Sequence, residues 1–159
     1  MRVVILGIGN ILMSDEGIGV HAVEALQQRF LLPDNVEVVD GGTTGMELLP
    51  DLQGAHDLIV IDAVRVGAAP GSVVRLEGEE VPAFFKTKLS PHQVGLCDVL
   101  AALRFSGGAP ERVVLIGVQP VSLEMAMELS PDVAAKMDRV LELVTEELAA
   151  IGSPARARV

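Results

Sequence analysis

The sequence contains no tryptophan and no tyrosine, and only four phenylalanines. A core built from it must therefore be aliphatic. Its one cysteine, Cys97, excludes an internal disulfide and suits a reducing compartment. Basic residues are scarce: 12 Lys and Arg stand against 22 Asp and Glu, for a formal net charge of −10. Such a surface repels a phosphate backbone, so nucleic acid is not an expected partner. No apolar run reaches the roughly 18 residues of a membrane span. Met1-Arg2 leads straight into VVILGIG, too short for a signal-peptide core with its cleavage site. The expected setting is the cytoplasm, without membrane insertion. A Gly-x-Ser-x-Gly elbow is also missing, which leaves a serine hydrolase of that kind without support.

What the chain does have is 159 residues, half of them hydrophobic, enough for one buried core. Three short apolar runs, VVILGIG (3–9), DLIVIDAV (57–64) and RVVLIGV (112–118), are strand-length and do not alternate. They read as central parallel strands covered on both faces. VEVVD (36–40) and SVVRLE (72–77) alternate more and read as strands nearer an edge. Helical spacing of Val20, Val23, Leu26 and Phe30 marks residues 17–30, and 44–52 has room for a short helix. Ser90-Pro91 opens a helix to about Phe105, stopped by Gly107 and Gly108. Ser130-Pro131-Asp132 opens a last helix that Gly152 ends, with Val133, Met137, Val140, Val144 and Leu148 on its apolar face. The order β-α-β-α-β-β-α-β-α predicts a three-layer α/β/α sandwich with a mostly parallel five-stranded sheet. Residues 1–152 form a single domain in this reading, and 153–159 a flexible C-terminal tail.

In such sheets, ligands bind beyond the carboxyl ends of the strands, at the topological switch point. Glu16 follows the first strand, Asp62 closes the third, and His92 is the second residue of a helix. Two carboxylates and an imidazole suit Zn, Ni or Mn with positions left open for water or substrate. A helix N-terminus disfavours imidazolium, and neutral imidazole is the form that ligates metal. Each residue alone has an ordinary account: Asp15 and Glu16 as satisfiers of a helix start, Asp62 as a turn residue, His92 as a surface histidine. The case lies in their joint placement. The DGGTTG loop (40–45) is either a Gly-rich turn or a cradle for an extended peptide, which Gly41 and Gly42 would let approach closely. His56 precedes the third strand, at the other end of the sheet. His21 reads as structural, and Cys97 as a buried small apolar group.

Gly7-Ile8-Gly9, with Asp40 ending the second strand, opens like a dinucleotide fingerprint. Leu12 replaces the third glycine, and Asp15 and Glu16 stand where a pyrophosphate would be repelled. A dinucleotide-binding module is therefore the weaker reading.

GNILMSDEGIGVHAVEAL, VVDGGTTGMELL, LIVIDAV, LSPHQVGLCDVLAAL and IGVQPVSLEMAMELSPDV, in this order, resemble the hydrogenase maturation endopeptidases. The resemblance runs from about residue 3 to residue 145. It implies an endopeptidase that removes the C-terminal extension from the nickel-loaded precursor of the [NiFe] hydrogenase large subunit. It implies metal contact, and catalysis, at Glu16, Asp62 and His92, and substrate recognition at Asp40 with its neighbours Gly41, Gly42 and Thr43. The nickel would come with the precursor, and zinc or cadmium would substitute for it in crystals. The expected assembly is a monomer or weak homo-oligomer. Ser14 stands where many members carry Gly or Asp. A non-catalytic nickel or precursor chaperone on the same scaffold is the alternative.

Overall fold

The computed structural model describes residues 1–81 and 91–159, and of 91–97 the backbone only. Five strands form the main sheet: β1 (Val3–Ile8), β3 (Val36–Gly42), β4 (Asp57–Ala63), β5 (Val73–Glu77) and β6 (Arg112–Val118). Their spatial order is β3-β1-β4-β6-β5. β3, β1, β4 and β6 run parallel, and β5 pairs antiparallel with β6. The two alternating runs are thus the two edges, and the three continuous apolar runs are the interior. Every residue of β1 and β4 is buried, as strands covered on both faces must be.

Successive side chains feed opposite cores. Val3, Ile5, Ile59, Ile61, Val114 and Ile116 pack with α1 (Ile18–Arg29) and with the last long helix, Met137–Ala150. Val4, Leu6, Ile8, Leu58, Val60 and Leu115 pack with α2 (Leu49–Leu52) and α3 (Pro91–Ser106). The layers are therefore those of an α/β/α sandwich with a mostly parallel five-stranded sheet. On α5 (Met137–Ala150), the buried Glu147 accepts from Arg75 of β5 and, at 2.5 Å, from Arg112 of β6. This ties the helix layer to the antiparallel edge.

The last helical segment is divided. Ser130 caps a short α4 (Pro131–Ala134), its Oγ accepting from the Val133 amide, and α5 begins anew at Met137. Val133 and Met137 still face one core, so the apolar spacing survives the break. Beyond Gly152, where the sequence shows no strand pattern, β7 (Arg156–Ala157) pairs antiparallel with β2 (Phe30–Leu31). The Arg158 amide also donates to the Arg29 carbonyl. Backbone pairing of this kind depends little on side-chain pattern. Among the described residues no helix is long and apolar enough to cross a membrane.

Candidate active site

β1 connects to β3 on one side and the chain then crosses to β4 on the other. The switch point lies at the carboxyl ends of β1 and β4. Two close backbone approaches build the rim there. A Cβ on Gly19 would lie 2.1 Å from the Ile61 carbonyl oxygen and 2.4 Å from that of Ile8. Only a glycine lets α1 seat its first turn directly on both strand ends. Gly9, at φ +136°, has the Glu16 carbonyl against it: a Cβ would meet that oxygen at 1.9 Å. The 3-10 turn Ser14–Gly17 is thereby folded back on the strand it follows, and it packs against β4.

Glu16 is half-buried in that turn. Asp62 is 0 % exposed, and its Oδ1 accepts from the Ala63 amide at 2.8 Å. By strand alternation Asp62 follows Leu58 and Val60 onto the face covered by α3. The carboxyl end of α3 feeds β6 at that strand's amino end. Its 16 residues, about 24 Å of helix, carry the backbone of Pro91 and His92 back toward the carboxyl-end rim. The side chain of His92 lies outside the described residues, as does that of Cys97. Among the described residues, no three His, Cys, Asp or Glu side chains gather as a metal-ligand set.

The DGGTTG loop leaves β3 on the same rim. Asp40 is exposed, and its Oδ1 accepts from the Gly42 amide at 3.0 Å. The Thr44 hydroxyl and amide both donate to the Gly41 carbonyl, and the Gly9 amide donates to that of Gly42. Gly41 is buried against Ile8 and Leu6, where a Cβ would lie 2.9 Å from each side chain. The loop is thus clamped to β1, with Thr43 exposed.

Asp15 has a role that its neighbourhood in the sequence conceals. It is 1 % exposed and accepts four hydrogen bonds from residues more than 100 positions away. Its Oδ2 takes the Val121 and Ser122 amides, each at 2.9 Å, and the Ser130 hydroxyl at 2.8 Å. Its Oδ1 takes the Ser130 amide at 2.8 Å. Burial pushes the carboxyl upward, but these donors together outweigh it and hold Asp15 below its ordinary value. Ser14, buried at φ +50°, donates its hydroxyl to the Glu124 carbonyl and its amide to that of Ala126. A positive φ is strained for a side-chain-bearing residue, and these two hydrogen bonds hold Ser14 in it. Asp15 and Ser14 therefore clasp the segment 121–130 to the loop that carries Glu16. Only Ser130, legible as a helix cap, hinted at this contact.

His56 sits at the opposite end of the sheet, as its place before β4 requires. Its ring contacts Asp57 through Nδ1 and Glu111 through Nε2, each at 2.8 Å. The hydrogen bond to Asp57 raises its pKa most, helped by the charges of Asp57 and Glu111 against a smaller desolvation. His21 is half-buried on α1.

The fold and rim define a small α/β protein with acidic groups at the switch point of its sheet. The profile of the hydrogenase maturation proteases matches residues 20–147. The hydrogenase 2 maturation protease of Escherichia coli (strain K12) is 52% identical over 159 residues, covering 99% of this chain and 97% of that one. The structure of the E. coli hydrogenase maturating endopeptidase HybD superposes with a TM-score of 0.97, covering 99% of this chain and 98% of that one. That of the [NiFe] hydrogenase maturation protease HybD from Thermococcus kodakarensis is 32% identical, with a TM-score of 0.76 over 94% of this chain and 99% of that one. The chain belongs to the hydrogenase maturation protease family.

Proposed function

We propose that this protein removes the C-terminal extension from the nickel-loaded precursor of a [NiFe] hydrogenase large subunit, and that Glu16, Asp62 and His92 meet the nickel that the precursor carries. The observation behind this reading is the seating of the Glu16 turn against the strand that ends in buried Asp62, at the switch point of a maturation-protease fold. Its similarity to hydrogenase maturation proteases favours a hydrogenase precursor as the substrate.

Hydrolysis adds water across the scissile amide. One of the two carboxylates accepts the water's proton as its oxygen joins the carbonyl carbon. The carbon–nitrogen bond then breaks, and the proton passes to the leaving amine. Glu16, Asp62 and His92 would hold the precursor's nickel, which would supply Lewis-acid polarisation of the carbonyl. The DGGTTG loop, with Asp40, Gly41, Gly42 and Thr43, holds the extended segment through backbone hydrogen bonds. Zinc or cadmium would occupy the same donors when nickel is absent.

The test is incubation of the protein with nickel-loaded and nickel-free precursor, followed by mass spectrometry of the precursor. A fixed mass loss from the loaded form alone is expected. Stable association without mass loss would assign the protein as a chaperone instead.

A further inference from the structure

Exposed large apolar side chains are unevenly distributed. Ile11 and Leu12 follow β1, Met46 follows β3, Val66 follows β4, and Val121, Met125 and Met127 follow β6. While Met1, Leu31, Phe105 and Val159 lie elsewhere, these seven stand on the segments leaving the carboxyl-end rim. Their densest part is built where the Asp15 and Ser14 clasp joins two segments. There Met13 and Ala126 form a parallel bridge, and the Ala126 amide donates to the Leu12 carbonyl at 3.0 Å. Alternation about the bridge turns Leu12, Met125 and Met127 away from the protein, at 54%, 86% and 59% exposure. Exposed apolar side chains brought together on two segments that buried polar groups pin in place mark an interaction site. Methionine suits one, because its unbranched side chain adapts to a partner's contour.

We infer that this collar docks the folded body of the protein substrate, an apolar patch edged by basic side chains, and so delivers its C-terminal segment to the rim that carries Glu16. Continuity argues for this occupant, because Leu12 lies four positions before Glu16 on the same clasped loop. Charge argues for it too. Among the described residues, Glu124 and Glu128 flank the methionines, Glu47 adjoins Met46 and Asp40 begins the loop before it, and all four are exposed, against the exposed Arg65. The collar also spans the ends of four adjacent strands, roughly 14 Å of sheet, wider than one extended peptide. This docking role rests on the proposed peptidase reading.

The test compares wild type, the double variant Met125→Ser/Met127→Ser, and Phe105→Ser, an exposed apolar residue near the opposite end of the sheet. Steady-state cleavage of nickel-loaded precursor is expected to show KM raised about five-fold or more in the double variant, with kcat retained and no change in Phe105→Ser. Added salt is expected to raise the wild-type KM. An unchanged KM in the double variant would overturn the docking role. Should wild type leave the precursor uncut, the peptidase reading fails, and precursor binding decides the collar separately. Weaker binding by the double variant supports it, and equal binding overturns it. A wild-type dimer that the double variant abolishes would assign the collar to a second copy and overturn it as well.

Discussion

Gly19→Ala sets two physical effects in opposition. Gly19 lies in the first turn of α1, and alanine is the better helix former by about 0.8–1 kcal/mol. Propensity alone therefore predicts a more stable protein. Contact predicts the reverse. The added methyl would sit 2.1 Å from the Ile61 carbonyl oxygen, and both that strand and β1 lie in the interior of the sheet. Reaching the 3.4 Å of ordinary contact requires the helix to retreat by about 1.3 Å, because backbone rather than a flexible side chain is in the way. Overpacking of this kind costs roughly 1–3 kcal/mol, and more where two oxygens are struck. With the cost toward the upper part of that range, the net loss of about 1–2 kcal/mol corresponds to a Tm lowered by roughly 2–8 °C for a domain of this size. The same retreat carries the Glu16 turn away from Asp62, and a misplacement near 1 Å can cost about 100-fold in rate. Thermal unfolding followed by circular dichroism, with precursor cleavage on the same sample, reads both effects. Gly54→Ala, where a Cβ meets nothing within 4 Å but φ is +81°, is the control for strain away from the rim: its Tm should fall while its cleavage is retained. An unchanged or raised Tm with wild-type cleavage in Gly19→Ala would refute the tight seat as the device that positions Glu16.

Asp15→Asn turns an amide NH2 toward donors that now share a carboxylate, and should lower stability by roughly 2–3 kcal/mol near neutral pH, measured by urea unfolding. Because the folded-state pKa of Asp15 is depressed, its contribution is complete above the unfolded value near about 4. It is lost as pH falls through the folded value, so the gap between wild type and Asp15→Asn should close in acid. A gap independent of pH down to strong acid would contradict the buried-anion account. For His56 the sign is opposite. Its raised pKa gives stability that is present below the unfolded value near about 6.5 and is lost as pH rises through the folded value. An NMR titration should therefore place its ring protonation above that of an unstructured histidine.

The legible parts of this protein were those decided by local pattern. The continuous runs at 3–9, 57–64 and 112–118 announced strands buried on both faces, because a strand with no polar face has nowhere else to go. The alternation at 36–40 and 72–77 announced edges for the complementary reason. Glu16 and Asp62 could be picked out because a switch-point rule converts strand ends into a place. The direction of β5 was not legible, since a strand of five residues carries no mark of its orientation. The break between α4 and α5 was hidden because Val133 and Met137 keep helical spacing across it. Asp15 was hidden because its donors lie at Val121, Ser122 and Ser130, and nothing near it in the chain distinguishes a carboxylate that clasps a distant loop from one that starts a helix. The collar of Leu12, Met125 and Met127 was hidden for the same reason, being assembled by that clasp.

The most direct test concerns Asp62, a fully buried carboxylate at the end of an interior strand. Asp62→Asn keeps the shape and removes the charge that, in the proposed function, meets a substrate-borne metal. Given nickel-loaded precursor, the variant should fold with a Tm close to wild type and cleave at least about 100-fold more slowly. Cleavage at the wild-type rate by a folded Asp62→Asn protein would contradict the account.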